Sequence, residues 1–472
     1  MPRGAVAMLL LSALACGCGT SAAAGGDAGV GGDDASVDGP ALPGPCALAP
    51  AGDPVPIVSF PDRHATAPSM VVLDPGASSG AASVAVQVFA NAGTSGRPDD
   101  IELARARVAP PWPSGAALDE APELQGEFAL GGGALAETVD APPTLALAWH
   151  RDNAAVGRPQ FRSVDPASWT QGPNVQLDST GDTIFAFVAG AGVGSDGAWA
   201  GDGFAVAWRY VGAPGLGPAR PVGALLDAAG NVLRGPTPMA TGEDYPGRSA
   251  SMAWTGSAYL VAMTYDDCHG GDGCVAHSVV VQSVRVSADA AAGLALAPAS
   301  SFPVLDPSTT PGGSAAMAAL RGRAWVAWTE GLARDAGAVT PRTVRLATLD
   351  AGGRALGAPV TLATAILPTT RLAVSAGDAG VLVTWAEDAD PADDGGAGDV
   401  VPGASSVVVQ RVGFDGALDA PLRVLATRVD AFGPVTSATI AAPRGALVLW
   451  AGRSTDPARF DMAWMAELAC AP

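Results

Sequence analysis

The 472-residue sequence contains no lysine: all 26 basic residues are arginine, set against 46 Asp and Glu. Asparagine and isoleucine are scarce too, whereas Ala, Gly, Pro and Asp abound. That is the composition of GC-rich coding DNA, because Lys, Asn and Ile codons are AT-rich, and it accounts for part of the acidity. Without lysine, Schiff-base chemistry and a phosphate-cradling P-loop are excluded, since both need an amine. A net charge of −20 argues against nucleic-acid binding, which requires a dense cationic footprint to displace counterions. Histidine is limited to His64, His150, His269 and His277, and no His-Glu-x-x-His pair is formed. Aromatic residues make up only 6%, yet 48% of the chain is hydrophobic, enough to fill a sizeable core.

After Met1-Pro2-Arg3 comes an apolar run over residues 4–15, the size of a secretory h-region and too short to span a bilayer. Residues 1–15 therefore read as a signal peptide. The run ends in Ala13-Leu14-Ala15-Cys16-Gly17, which resembles the lipobox of bacterial lipoproteins, with Ala13 where that family prefers Leu. The resemblance implies diacylation of the Cys16 thiol, attachment to the cell envelope and, because Gly17 carries no acidic retention cue, the outer membrane in a diderm host. The same Ala-x-Ala also suits ordinary signal cleavage before Cys16. Residues 16–45 are rich in Gly, Ala and Asp, with no aromatic residue and no hydrophobic period. Such a segment buries too little surface to offset its backbone entropy, so it reads as a disordered tether.

Residues 46–472 carry a weak repeat, a short apolar strand that usually ends in Trp and runs directly into a polar loop. Clear copies end at Trp149, Trp208, Trp328, Trp385 and Trp450, and degenerate ones at Val88 and Met263. Their spacings, 61, 59, 55, 65, 57 and 65 residues, define a period near 60 that fits the folded region seven times. Around each copy the sequence shows a shorter strand before it, a third strand ending near an Asp and a Gly-containing turn, and a fourth strand. Four antiparallel strands in seven units predict an all-β, seven-bladed β-propeller; an array of β-sandwiches is the alternative. The last unit has only three strands, and the segment Pro54–Phe60 is placed to complete it. Closure of this kind removes exposed sheet edges.

Six cysteines remain to be placed. Cys16 is the lipidation candidate and Cys18 lies in the tether. Closing the ring would bring Cys46 and Cys470 together as a disulfide, and Cys268 and Cys274 bracket one loop as a local one. A Cys/His metal site using His269 and His277 lacks a second CxxC-like pair, so no metal and no cofactor is expected. In a propeller the segments after the repeat Trp positions share one face. His150, Arg151, Asp152, Arg209, Tyr210, Asp266, Asp267, Glu330, Asp388 and Arg453 are thus the candidate ligand face, for a glycan, peptide or protein. The repeat Trp residues themselves read as packing residues between blades.

With its export signal and repeats, the chain resembles the propeller lipoproteins that bacteria display on their envelopes. That resemblance implies a surface-anchored, monomeric, non-enzymatic binding or scaffolding module, with membrane contact through its lipid and no nucleic-acid partner. The alternative is an extracellular carbohydrate-active or other hydrolase using loop-face carboxylates such as Asp152, Asp267 or Asp388. No catalytic pair is singled out by the sequence.

Overall fold

The computed structural model describes residues 47–73, 82–91, 99–108, 117–127, 134–137, 144–153, 156–177, 182–187, 203–211, 220–238, 246–256, 259–266, 276–286, 294–303, 312–330, 342–366, 372–377, 380–387, 406–424, 431–440, 445–452 and 461–470. These residues form strands and turns and no helix. Two short strands lead, β1 (Leu48–Pro50) and β2 (Val55–Val58). Sheet one then holds β3 (His64–Val72), β4 (Ala82–Asn91), β5 (Asp100–Val108) and β6 (Ala117–Glu127). Sheet two holds β7 (Ala134–Glu137), β8 (Leu145–Asn153), β9 (Val156–Val164) and β10 (Val175–Gln176). Sheet three holds β11 (Asp182–Phe187), β12 (Gly203–Val211), β13 (Arg220–Asp227) and β14 (Val232–Pro238). Sheet four holds β15 (Pro246–Trp254), β16 (Tyr259–Asp266), β17 (Ala276–Val286) and β18 (Leu294–Pro303). Sheet five holds β19 (Gly312–Leu320), β20 (Arg323–Glu330), β21 (Arg342–Asp350) and β22 (Val360–Ile366). Sheet six holds β23 (Ala373–Gly377), β24 (Gly380–Glu387), β25 (Ser406–Val412) and β26 (Leu422–Val424). Sheet seven holds β27 (Ala431–Ile440), β28 (Gly445–Gly452) and β29 (Met462–Cys470).

Every pairing within the sheets is antiparallel between strands consecutive in sequence, except that β1 and β2 both add to β29. Leu48 stands opposite Cys470, and further along the same strand Val55 stands opposite Met465 and Val58 opposite Ala463. The first strands of the sheets touch in order, with β15 against β19, β19 against β23, β23 against β27, and β27 against β3.

The second strands explain why the repeat looks as it does. β20, β24 and β28 are buried along almost their whole length on both faces, so their apolar residues run on continuously instead of alternating with polar ones. What alternates is size. In β12, Phe204, Val206 and Trp208 share one face and pack onto Ala146 and Ala148 of sheet two. Likewise Val326 and Trp328 pack onto Leu260 and Ala262, and Val448 and Trp450 onto Leu382 and Ala386. At each of these three junctions the indole meets an Ala of the sheet before it, Ala148, Ala262 or Ala386, which helps fill the space between sheets at close-packed density. Where sheet seven meets sheet one, the preceding strand presents Leu447 and Leu449, and the receiving residue shrinks to Val88. The loss of Trp from the first copy therefore reflects volume supplied by its neighbour.

At the opposite ends of the third strands, tight turns carry the predicted Asp and Gly. Asp350 Oδ1 accepts from the Gly352 and Arg354 amides, both at 2.9 Å, and Asp227 Oδ1 accepts from the Asn231 amide at 2.8 Å. Gly230, Gly353 and Gly416 adopt φ of +88°, +92° and +85°, which a side chain would strain. Each turn is also held by the preceding sheet. Arg105 donates to Pro166 O (3.2 Å), Ser163 to Ala229 O (3.3 Å), Thr255 to Ala351 O (3.1 Å) and Arg323 to Phe414 O (3.5 Å).

Candidate functional site

The ends of the second strands, the starts of the third strands and the starts of the first strands lie on one side of the sheets. On that side, where sheet one meets sheet seven, ionisable residues converge. Arg63, immediately before β3, is 5% exposed and donates from Nη1 to Asp100 Oδ2 (2.8 Å) and from Nη2 to Glu102 Oε1 (2.5 Å). Both carboxylates start β5 and are themselves buried, at 5% and 6% exposure. The guanidinium also lies 4.9 Å from the Phe60 ring centroid, with Asp62 at 3.8 Å from its Nε. Removing water from this many charges is tolerable only because each carboxylate meets the fork of the guanidinium.

The adjacent His64 bonds through Nδ1 to Asp461 Oδ2 at 2.6 Å, and the Asp461 backbone carbonyl accepts from the Ala65 amide at 2.9 Å. These partners are 397 residues apart in sequence. The pair is partly open to solvent, the His64 side chain at 33% and the Asp461 side chain at 21%. A carboxylate oriented by an imidazole, reachable from outside and backed by a fixed Arg/Asp/Glu cluster, is suited to holding and passing a proton. Among the described residues no group of three or more His, Cys, Asp or Glu is placed to hold a metal ion.

Glu330, expected on the ligand face, is committed to packing instead. Its Oε1 accepts from the Trp328 indole N–H at 3.1 Å and lies 3.8 Å from Arg345 Nε. Glu387 repeats the arrangement, accepting from Trp385 Nε1 at 2.9 Å and pairing with Arg423 at 2.6 Å. His150 is 3% exposed, buried and not presented, because it sits within β8 beside Trp149; Arg151 is half-buried. Asp152, Arg209, Tyr210 and Asp266 fall on β8, β12 and β16, but their side chains, like Cys16, Cys46, Cys268, Cys274, Asp267, Asp388 and Arg453, lie outside the described residues. Cys470 ends β29.

The charged cluster at the junction of sheets one and seven was not assembled by sequence reasoning. Its signal was the run Asp62-Arg63-His64 at the start of the first strand, together with Asp100-x-Glu102 opening the third strand. Elsewhere, burial pushes the Tyr259 hydroxyl well above the usual phenol range, against a backbone hydrogen bond at Ala205 that acts to lower it, and pushes Arg162 below the usual guanidinium range, the latter lying 5.9 Å over Trp149.

No protein-family model matches the chain, and no curated protein matches it in sequence. Several solved structures are similar to it over most of their length. An α-L-arabinofuranosidase from Fusarium graminearum is 9% identical, with 89% of this chain and 98% of that one covered and a TM-score of 0.42. An α-L-arabinanase from Penicillium chrysogenum is 12% identical, with 76% and 98% covered and a TM-score of 0.45. The β-propeller domain of the trilobed protease from Pyrococcus furiosus is 8% identical, with 88% and 97% covered and a TM-score of 0.40. The chain is thus all-β, with β-propeller proteins as its structural neighbours. These comparisons overturn the expectation of a non-enzymatic binding or scaffolding module: the neighbours include glycoside hydrolases, in keeping with the hydrolase alternative. At such identities the likeness describes the fold and assigns no substrate to this chain.

Proposed function

We propose that the chain is an extracellular carbohydrate-active hydrolase built on a seven-bladed β-propeller and anchored to the cell envelope. The observation that carries the reading is the His64–Asp461 pair, 2.6 Å apart and partly exposed, beside the Arg63–Asp100–Glu102 cluster. Hydrolysing a glycosidic bond takes one carboxyl group to protonate the leaving oxygen and a second to act on the opposite side of the sugar. Asp461, oriented by His64, takes the acid/base role. Arg63 fixes Asp100 and Glu102 so that the floor of the site does not move, and a second carboxylate on the loop face is taken to complete the pair. Support for the seven-bladed ring comes from the seven sheets, the ordered contacts of their first strands and the pairing of β1 and β2 with the last sheet.

Turnover on a broad panel of neutral glycosides tests the assignment. Asp461→Asn is expected to lower kcat by about 10²- to 10⁴-fold, the usual contribution of a positioned acid or base, with the far-UV spectrum unchanged. Full activity in Asp461→Asn would overturn the role of Asp461, and a wild-type protein inert on every glycoside would overturn the hydrolase reading.

Export and anchoring are separate parts of the same proposal. Cys16 is taken as the diacylated N-terminus after cleavage of residues 1–15, placing a monomeric enzyme at the outer membrane on the tether of residues 16–45. Labelled palmitate should enter the wild-type protein and not Cys16→Ser; equal incorporation in both would remove the anchor.

A further inference from the structure

The five repeat tryptophans occupy equivalent strand positions and pack onto the preceding sheet, yet their indole N–H groups are treated in two ways. In sheets five and six, Trp328 and Trp385 donate to the Glu two residues on. Those carboxylates lie at the rim of the loop side, with side chains 15% and 13% exposed. In sheets two, three and seven, Trp149, Trp208 and Trp450 are at most 1% exposed and their Nε1 atoms have no hydrogen-bond partner. Two residues after Trp149 stands Arg151, which has donors only, and two after Trp450 stands Gly452, which has no side chain.

A second set of donors stands beside two of these. Gln160 is directly opposite Trp149 and Trp464 directly opposite Trp450, so each pair shares a face of its sheet. Gln160 Nε2 and Trp464 Nε1 are likewise buried without a partner. Buried donors in native proteins almost always find an acceptor, and each exception calls for an explanation. The partnerless indoles, and the Gln160 amide opposite one of them, lie in sheets seven, two and three, which with sheet one are consecutive around the contact order, and the His64–Asp461 pair lies between sheets seven and one. In sheets five and six the buried donors without a partner are the Thr329 and Thr384 hydroxyls and Arg345 Nε, not the indoles. The capped tryptophans belong to the other side.

We propose that the side of the loop face formed by sheets seven to three is a saccharide subsite, in which sugar oxygens, directly or through one water, supply the acceptors that Trp149, Gln160, Trp450 and Trp464 lack. It rests on the reading of the chain as a carbohydrate-active protein. The saccharide is neutral. Hydroxyl and ether oxygens accept from these donors, whereas a uronate would meet Asp62, Asp100, Glu102 and Asp461, and the guanidinium beside them, that of Arg63, already bonds carboxylates through both terminal nitrogens.

The experiment uses the folded, exported chain with ¹⁵N-labelled tryptophan, its indole resonances assigned by single Trp→Phe variants. Xylo-, cello- and arabino-oligosaccharides are titrated in, then oligogalacturonates as the acidic counterpart. Saturable shifts of the Trp149 and Trp450 signals with neutral sugars, while Trp328 and Trp385 stay still, are expected. Gly452→Glu and Arg151→Glu, each placing an acceptor where sheets five and six have one, should weaken binding at least tenfold. Shifts confined to Trp328 and Trp385, a larger response to oligogalacturonates, or no shift with any sugar would overturn the proposal. Shifts without turnover would keep the subsite and remove the hydrolase; turnover without shifts would do the reverse.

Discussion

Glu387 shows how much one side chain at the loop rim decides. Its carboxylate accepts from Trp385 Nε1 at 2.9 Å and pairs with Arg423 at 2.6 Å, while Trp385 is fully buried. Glu387→Ala leaves the indole N–H without an acceptor in a site closed to water, which costs about 1–3 kcal/mol. The Arg423 pair adds little, because that side chain is 56% exposed and screened. Glu387→Gln keeps an acceptor oxygen and should recover most of the loss. Urea unfolding of the three proteins checks this, and equal stability of the Ala and Gln variants would show that the indole bond contributes nothing. In the sequence, Trp-x-Glu at 328–330 and 385–387 was visible, but an acidic residue just past a strand reads equally well as ligand contact or as packing partner. Only the buried donor two residues earlier distinguishes them.

At the scale of elements, the strands ending in Trp were legible because two-sided burial leaves a continuous apolar run with few other causes. Strand order within each unit was legible for a related reason, since short turns with Asp and Gly force antiparallel neighbours. The alternation of large and small residues was not read, because it acquires meaning only when the facing sheet is known. It makes a definite prediction at the junction of sheets seven and one. Val88→Trp restores the consensus residue there, yet it must collide with Leu447 and Leu449, which share its cluster. Overpacking of this kind costs about 1–3 kcal/mol. Leu449→Ala alone opens a cavity and should cost about 2–5 kcal/mol. Combined, the bulky ring enters the space vacated, as Trp208 does over Ala148 in the next sheets, so the double variant should be more stable than the sum of the two losses. Strict additivity in denaturant melts would mean that sheet seven does not set the size of residue 88.

The whole molecule is decided where its two ends meet. Arg63, His64, Asp100 and Asp461 form one site although Asp461 lies almost the length of the chain away, which is why no sequence motif announced it. The same junction is held by backbone pairing, with β1 against residues 468–470 and β2 against residues 463–465. Cys470 stands opposite Leu48, and Cys46 precedes Leu48 by two residues, so the proposed Cys46–Cys470 disulfide would lock this edge. A bridge closing over four hundred residues lies at the upper end of the entropic range, roughly 4–5 kcal/mol, because the unfolded chain loses most freedom when its loop is longest. Non-reducing peptide mapping of the exported protein should therefore recover Cys46 linked to Cys470. Cys470→Ser should lower the melting temperature, and limited proteolysis of that variant should cut first between residues 50 and 62 while β20 and β24 stay protected. Early cuts there would also release Arg63 and His64 from their partners, so glycoside turnover should fall in step with proteolysis. If cleavage instead begins in the central sheets, or if activity survives the loss of residues 47–62, the site does not depend on the joining of the ends and the assignment of Asp461 fails with it.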